Sequence, residues 1–147
     1  MIYDANNIFA RMLRGEIPCH KIFEDARTLA FMDIMPQSDG HVLVIPKAAS
    51  TGLDDAAPET LANLIVAVQK LAPKIRDAMG ATGYRLAQFN GADAGQTVFH
   101  LHFHVIPMYA GIPIRPHTGK MGDMDKIKMQ AERIRAALGS GPILSGA

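Results

Sequence analysis

The chain has a single cysteine, Cys19, among its 147 residues, so no disulfide can form within it, which points to a reducing, cytoplasmic setting. Cys19 itself reads as a small packed hydrophobe before it reads as a reactive thiol. A marked excess of charge of one sign is also missing. With a net charge of +1 there is no broad basic surface for duplex nucleic acid. No apolar run approaches the roughly 20 residues needed to span a bilayer, so no membrane role is expected. The opening Met-Ile-Tyr-Asp-Ala-Asn-Asn lacks a basic region followed by an apolar one, and no secretory leader is expected. Internal repeats and low-complexity blocks are absent. At 147 residues the chain is long enough for one domain with a substantial core and too short for two comfortable ones, and its 48% of hydrophobic residues fits a globular protein.

Short elements follow one another along the chain. Asn6 or Asn7 can cap a helix that runs to Arg14 and ends at Gly15, with Ile8, Phe9, Met12 and Leu13 on one face. Residues 20–24 and 27–33 read as strands joined by a tight turn at Asp25-Ala26, and residues 41–45 as a strong strand stopped by Pro46. From Pro58 an apolar stripe of Leu61, Leu64, Ile65, Val68, Leu71, Ile75 and Met79 predicts a long helix, kinked or split by Pro73. A strand over 84–89, a glycine-bearing loop over 91–96 and a last helix over 123–138 complete the pattern. Pro107, Pro113 and Pro116 make 107–122 irregular. A domain over 1–139 with a flexible tail over 140–147 is expected. Short connections, without strand–helix alternation, predict an α+β fold on a mostly antiparallel sheet.

The most informative stretch is 98–106, Val-Phe-His-Leu-His-Phe-His-Val-Ile. On a strand, side chains alternate between faces, so His100, His102 and His104 share one side while Phe99, Leu101, Phe103 and Val105 share the other. Three copies of the side chain that titrates near neutral pH suggest chemistry. Residues two apart on a strand lie roughly 7 Å apart and residues four apart about 13 Å. One zinc ion, with nitrogens at about 2.0–2.1 Å, therefore cannot easily take all three. Two neighbours could chelate a metal with help from elsewhere. Alternatively the central ring is a nucleophile with its neighbours shaping the site. Three rings simply satisfied by backbone carbonyls is the weakest reading. Gly95-Gln96-Thr97 directly before the stretch can offer backbone amides to an anion, or can serve only as a turn.

Gly-Gln-Thr-Val-Phe-His-Leu-His-Phe-His-Val-Ile-Pro resembles the His-φ-His-φ-His-φ-φ signature of the histidine triad (HIT) family, where φ is apolar. Further stretches resemble it in order: Ile8-Phe9 through Pro18, Phe23-Glu24-Asp25, Ala30 through Ile34, and His41 through Lys47. The likeness is greatest to the nucleotide-binding (Hint) branch. It implies an α+β domain around a five-stranded antiparallel sheet, assembled as a homodimer, acting at the α-phosphate of a nucleotide without a cofactor. Substrates of that kind are nucleoside phosphoramidates, adenylylated amines or dinucleoside polyphosphates. By this resemblance His102 is the nucleophile, forming a nucleotidyl-imidazole. His104 binds phosphate and helps protonate the leaving group, and His100 with His41 supports them. Asp33 holds the ribose hydroxyls. Phe9, Met12, Ile17, Phe31 and Ile34 form an apolar slot for the base, and Asn90, Gly95, Gln96 and Thr97 approach the phosphate.

Some positions depart from the family pattern. Many bacterial relatives hold a structural zinc with a Cys-x-x-Cys pair and a later His; the matching positions here are Asn7, Ala10 and Ala49, so no metal is expected there. Phe89 stands where relatives carry Asn or Gln near the phosphate, and Met108 where an Arg often follows Ile-Pro. A phosphoramidate-cleaving hydrolase is the leading expectation. A dinucleoside polyphosphate hydrolase, a metal enzyme using two of the histidines, and a nucleotide-binding module without turnover are the alternatives.

Overall fold

A computed structural model of the chain describes residues 2–116 and 120–139. The proposed tail over 140–147, and His117 in the proline-rich segment, lie outside the described residues.

Helix α1 is Ile8–Leu13, started by the Asn7 carboxamide oxygen, which accepts from the Ala10 N–H at 2.9 Å. Strands β1 (Lys21–Glu24) and β2 (Thr28–Met32) form a hairpin. In its turn an Asp25 carboxylate oxygen accepts from the N–H groups of Arg27 and Thr28. Strand β3 (Val42–Pro46), helix α2 (Pro58–Ala78), strand β4 (Gly83–Ala87), strand β5 (Phe103–Met108) and helix α3 (Met124–Leu138) follow. The five strands lie in the order β1-β2-β3-β5-β4, every neighbouring pair antiparallel. The α+β expectation holds.

The alternation of each strand assigns the sheet's two faces. Ala30, Met32, Val42, Val44 and Val105 pack with Leu64, Val68, Leu71 and Ile75 of α2 and with Ile127, Ala131 and Ile134 of α3. The opposite face, Leu29, Phe31, Leu43 and Ile45, packs with Phe9 of α1. Covered on both sides, β2 and β3 are buried at every position, which explains their near-continuous apolar sequences.

The edges differ. On the β1 side, Arg135 of α3 donates to the Lys21 carbonyl, and Lys21 pairs with Glu24. Charge and a competing donor block further strand addition there. On the other side, β4 pairs with β5 alone and exposes Leu86.

Three expectations need correcting. Helix α2 is not split at Pro73 and runs as one 21-residue element. Burial of Leu71, Ala72 and Ile75 against the sheet outweighs the hydrogen bond that a proline removes. Pro46 closes β3 from within, opposite Thr28. The next residue, Lys47, donates to Arg27 O at 2.8 Å, and β5 pairs with β3 only as far as Val44, so no ladder partner is lost at the proline. Most important, the histidine stretch is not one strand: β5 begins at Phe103, leaving His100 and His102 in the irregular segment that leads into it. Its ladders end at Val44–Phe103 on one side and Ala87–His104 on the other.

Candidate active site

The site lies on the α1 side of the sheet and follows from strand parity. Leu29, Phe31 and then Asp33 point to that face along β2; His41, Leu43 and Ile45 do so along β3. Asp33 N–H donates to His41 O at 2.9 Å, extending the β2–β3 register by one pair and setting the two residues opposite each other. His104 pairs with Leu43 and Ala87 across the sheet and joins the same face. The alternation survives beyond the end of the ladder. Leu101 is buried in the helix-side core, and His102 turns to the site.

Each ring's partners assign its protons. His102 Nδ1 lies 2.7 Å from the carbonyl of His100. A carbonyl only accepts, so Nδ1 holds the proton and Nε2 of the neutral ring carries the lone pair. His41 Nδ1 accepts from the Gln37 N–H at 3.0 Å, which puts its proton on Nε2; that nitrogen is 3.0 Å from His104 Nδ1. His104 thus accepts at Nδ1 and holds its own proton on Nε2. Asp33 places one carboxylate oxygen 3.5 Å from His41 Nε2, reinforcing the proton there, while its other oxygen accepts from Met35 N–H at 2.8 Å. The rings of His102 and His104 have centroids 5.0 Å apart. Two neighbouring rings therefore differ in their Nε2 atoms, one with a lone pair suited to attack and the other with a proton suited to donation.

His100 does a different job. It is fully buried, donates from Nε2 to the Pro46 carbonyl at 2.7 Å and accepts at Nδ1 from the Tyr3 hydroxyl at 2.7 Å. Tyr3 escaped the sequence reading, because nothing local marks a tyrosine 97 residues away as a partner. Burial holds the His100 pKa below the ordinary histidine value; the Pro46 carbonyl opposes this and the nearby His102 adds to it. The unfolded chain thus binds the proton more readily than the folded one. The stability that His100 contributes is present above about pH 6.5 and is lost as pH falls from there through the lower folded value. Urea unfolding of wild type and His100→Gln is expected to show a stability gap that narrows between pH 7.5 and 5, by at most about 1.4 kcal/mol per pH unit. A gap independent of pH would contradict this.

Two aromatic rings flank the pair. Phe9 meets His102 edge-on with centroids 5.0 Å apart, and Phe89 meets His104 at 5.4 Å. Phe9 also packs edge-on against Phe31 at 5.2 Å, and both rings are buried in the core on this face. Of the residues expected to form the base slot, Met12 and Ile17 are half-buried and Ile34 is exposed beside Asp33.

The loop residues expected near the phosphate are largely committed to holding the loop together. The Gln96 carboxamide is buried; it donates to Thr51 O and Val98 O and accepts from Gly91 N–H. The Asn90 side chain accepts from Leu53 N–H at 2.7 Å and exchanges hydrogen bonds with Gln88. Gly95, at φ +102°, closes a one-turn 3₁₀ helix (Ala92–Ala94), with its N–H on Ala92 O, a backbone geometry that a β-carbon would strain. Thr97 is exposed.

The positions that match the relatives' zinc ligands do not fit a metal. Asn7 is occupied in capping α1, and neither Ala10 nor Ala49 has a ligating atom. Among the described residues, the ligating atoms of Asp33, His41 and His104 lie within 4.8 Å of one another. A metal there would displace the proton between the two rings.

Comparison with known proteins gives the family and the fold. The HIT domain model matches residues 14–111. Over 100 residues the chain is 42% identical to adenosine 5'-monophosphoramidase hnt1 of Schizosaccharomyces pombe, covering 68% of this chain and 72% of that protein. Over 120 residues it is 36% identical to adenylylsulfatase HINT3 of Arabidopsis thaliana, covering 78% of this chain and 61% of that one. The crystal structure of a Hit-like protein from Bartonella henselae superimposes with a TM-score of 0.86 at 48% identity, covering 93% of this chain and all of the other.

Proposed function

This chain belongs to the HIT family, and from that premise we propose that it is a nucleotide hydrolase cleaving the α-phosphate bond of adenosine 5'-phosphoramidates or adenylylated amines. The observation that carries the proposal is the proton arrangement of the two adjacent rings. His102 is held by the His100 carbonyl with its lone pair on Nε2, and His104 is held by His41 with its proton on Nε2.

In the first step His102 Nε2 bonds to phosphorus and the phosphorus–nitrogen bond breaks. The departing nitrogen takes the proton from His104 Nε2, and the positive charge on the substituted His102 ring offsets the charge this leaves. In the second step water attacks phosphorus, breaks its bond to Nε2 and returns a proton to His104. AMP and the free amine leave, and both rings regain their starting states. Asp33 holds the ribose hydroxyls at the end of β2. The base lies along Ile17 and Ile34, with Phe9 and Phe31 as the buried floor, and Asn90, Gly95, Gln96 and Thr97 fix the loop bordering the phosphate.

The test is to incubate the protein with adenosine 5'-phosphoramidate and stop the reaction at alkaline pH, where an N-phosphorylated imidazole survives. Release of AMP together with an AMP increment on the peptide carrying His102 is expected, with chelator having no effect. Binding of AMP without turnover would replace the enzyme reading with that of a nucleotide-binding module. Loss of turnover with chelator would instead favour metal chemistry at Asp33, His41 and His104. Turnover of dinucleoside polyphosphates in preference to phosphoramidates would change the substrate class.

A cytoplasmic homodimer completes the proposal. The outer edge of β4, exposed Leu86, and Ile65 and Val66 exposed on α2 form the surface offered to a second copy. Among the described residues no helix is long and apolar enough to cross a membrane. Light scattering after gel filtration is expected to give a dimer mass for wild type and a monomer mass for Ile65→Asp/Leu86→Arg. A wild-type monomer at micromolar concentration would refute the assembly.

A further inference from the structure

We propose that Phe89 makes the leaving-group end of the site an apolar platform, selecting phosphoramidates of arylalkyl or other apolar amines over those with small or anionic leaving groups. The inference rests on the hydrolase reading above and deepens it.

The starting observation is the asymmetry of the two aromatic rings. Phe9, against the nucleophile His102, is 5% exposed and continues into the core through Phe31. Phe89, against the acid His104, is 36% exposed. In an in-line displacement at phosphorus the leaving group departs on the side away from the attacking nitrogen. It departs next to the group that protonates it, which is His104. The amine substituent therefore emerges along the side chain that flanks His104, and that side chain is Phe89.

Phe89 is also held in place. A β-carbon built on Gly95 would lie 3.9 Å from Phe89 Cγ, so a larger residue at position 95 would touch the ring. Its neighbours on either side, Gln88 and Asn90, pair their carboxamides with each other, and Asn90 accepts from Leu53 N–H. The polar groups flanking the ring are thus used in the loop, and the ring is left as the element facing the exit. An exposed aromatic face favours an apolar or aromatic substituent and gives an anionic polyphosphate no partner.

The test compares kcat/KM for two adenosine 5'-phosphoramidates, one of phenethylamine and one of ammonia, in wild type, Phe89→Gln and Phe89→Leu. The ratio of phenethylamine to ammonia substrate is expected to fall about tenfold in Phe89→Gln, the scale at which hydrophobic pockets discriminate, and to stay within about threefold of wild type in Phe89→Leu. A ratio unchanged in Phe89→Gln overturns this inference and leaves the hydrolase reading standing. Failure of wild type to turn over either substrate, with no AMP adduct on His102, overturns both.

Discussion

His102→Ala is expected to reduce turnover of adenosine 5'-phosphoramidate by on the order of 10⁴-fold or more, the scale seen when a covalent nucleophile is removed. The reason is geometric. His102 is the ring whose proton is tied to a main-chain carbonyl, and this leaves the lone pair on Nε2 of a ring next to His104. No neighbouring ring can take over. His100 has both nitrogens engaged, by Pro46 and Tyr3, and His104 Nδ1 is engaged by His41. AMP affinity, measured by calorimetry, is expected to change by only a few fold, because the proposed ribose and base contacts lie elsewhere. The alkaline-quenched adduct should vanish. Turnover within tenfold of wild type would remove the nucleophile assignment.

The second large effect is expected at His104. His104→Gln should lower the rate with an amine leaving group by about 10²–10⁴-fold, the usual contribution of a positioned general acid. The loss should be far smaller with an adenylyl p-nitrophenyl ester, whose leaving group departs without a proton. That split separates proton donation from phosphate binding: loss of a phosphate contact would slow both substrates alike. Equal losses would therefore reassign His104 to binding. Either way the variant keeps a polar side chain near His41, so the buried His41 is not left facing an apolar gap.

Much of this site was legible in the sequence because alternation is a local property. Period-2 spacing placed His102 and His104 on one face and Leu101, Phe103 and Val105 on the other, and this holds although the ladder starts only at Phe103. The strand's true start was not legible, because where a strand leaves a sheet depends on partners distant in sequence, here Val44 and Ala87. Whether Pro73 would kink or split α2 was left open for a similar reason: local preference for a break yielded to tertiary burial on both sides of it. Gln96 and Asn90 illustrate a further limit. The resemblance brings them near the phosphate, and in the structure their amides close a loop against Thr51 and Leu53. Composition shows that a polar group is present, and only coordinates show which backbone atom claims it.

The bond from His102 Nδ1 to the carbonyl of residue 100 has an evolutionary consequence. Every amino acid carries that oxygen, so this bond does not depend on which side chain stands at position 100. Substitution at that position can therefore leave the bond to the His102 ring in place. New preferences can arise by changing the β4–β5 connection, where Phe89 sits, while the chemistry stays constant.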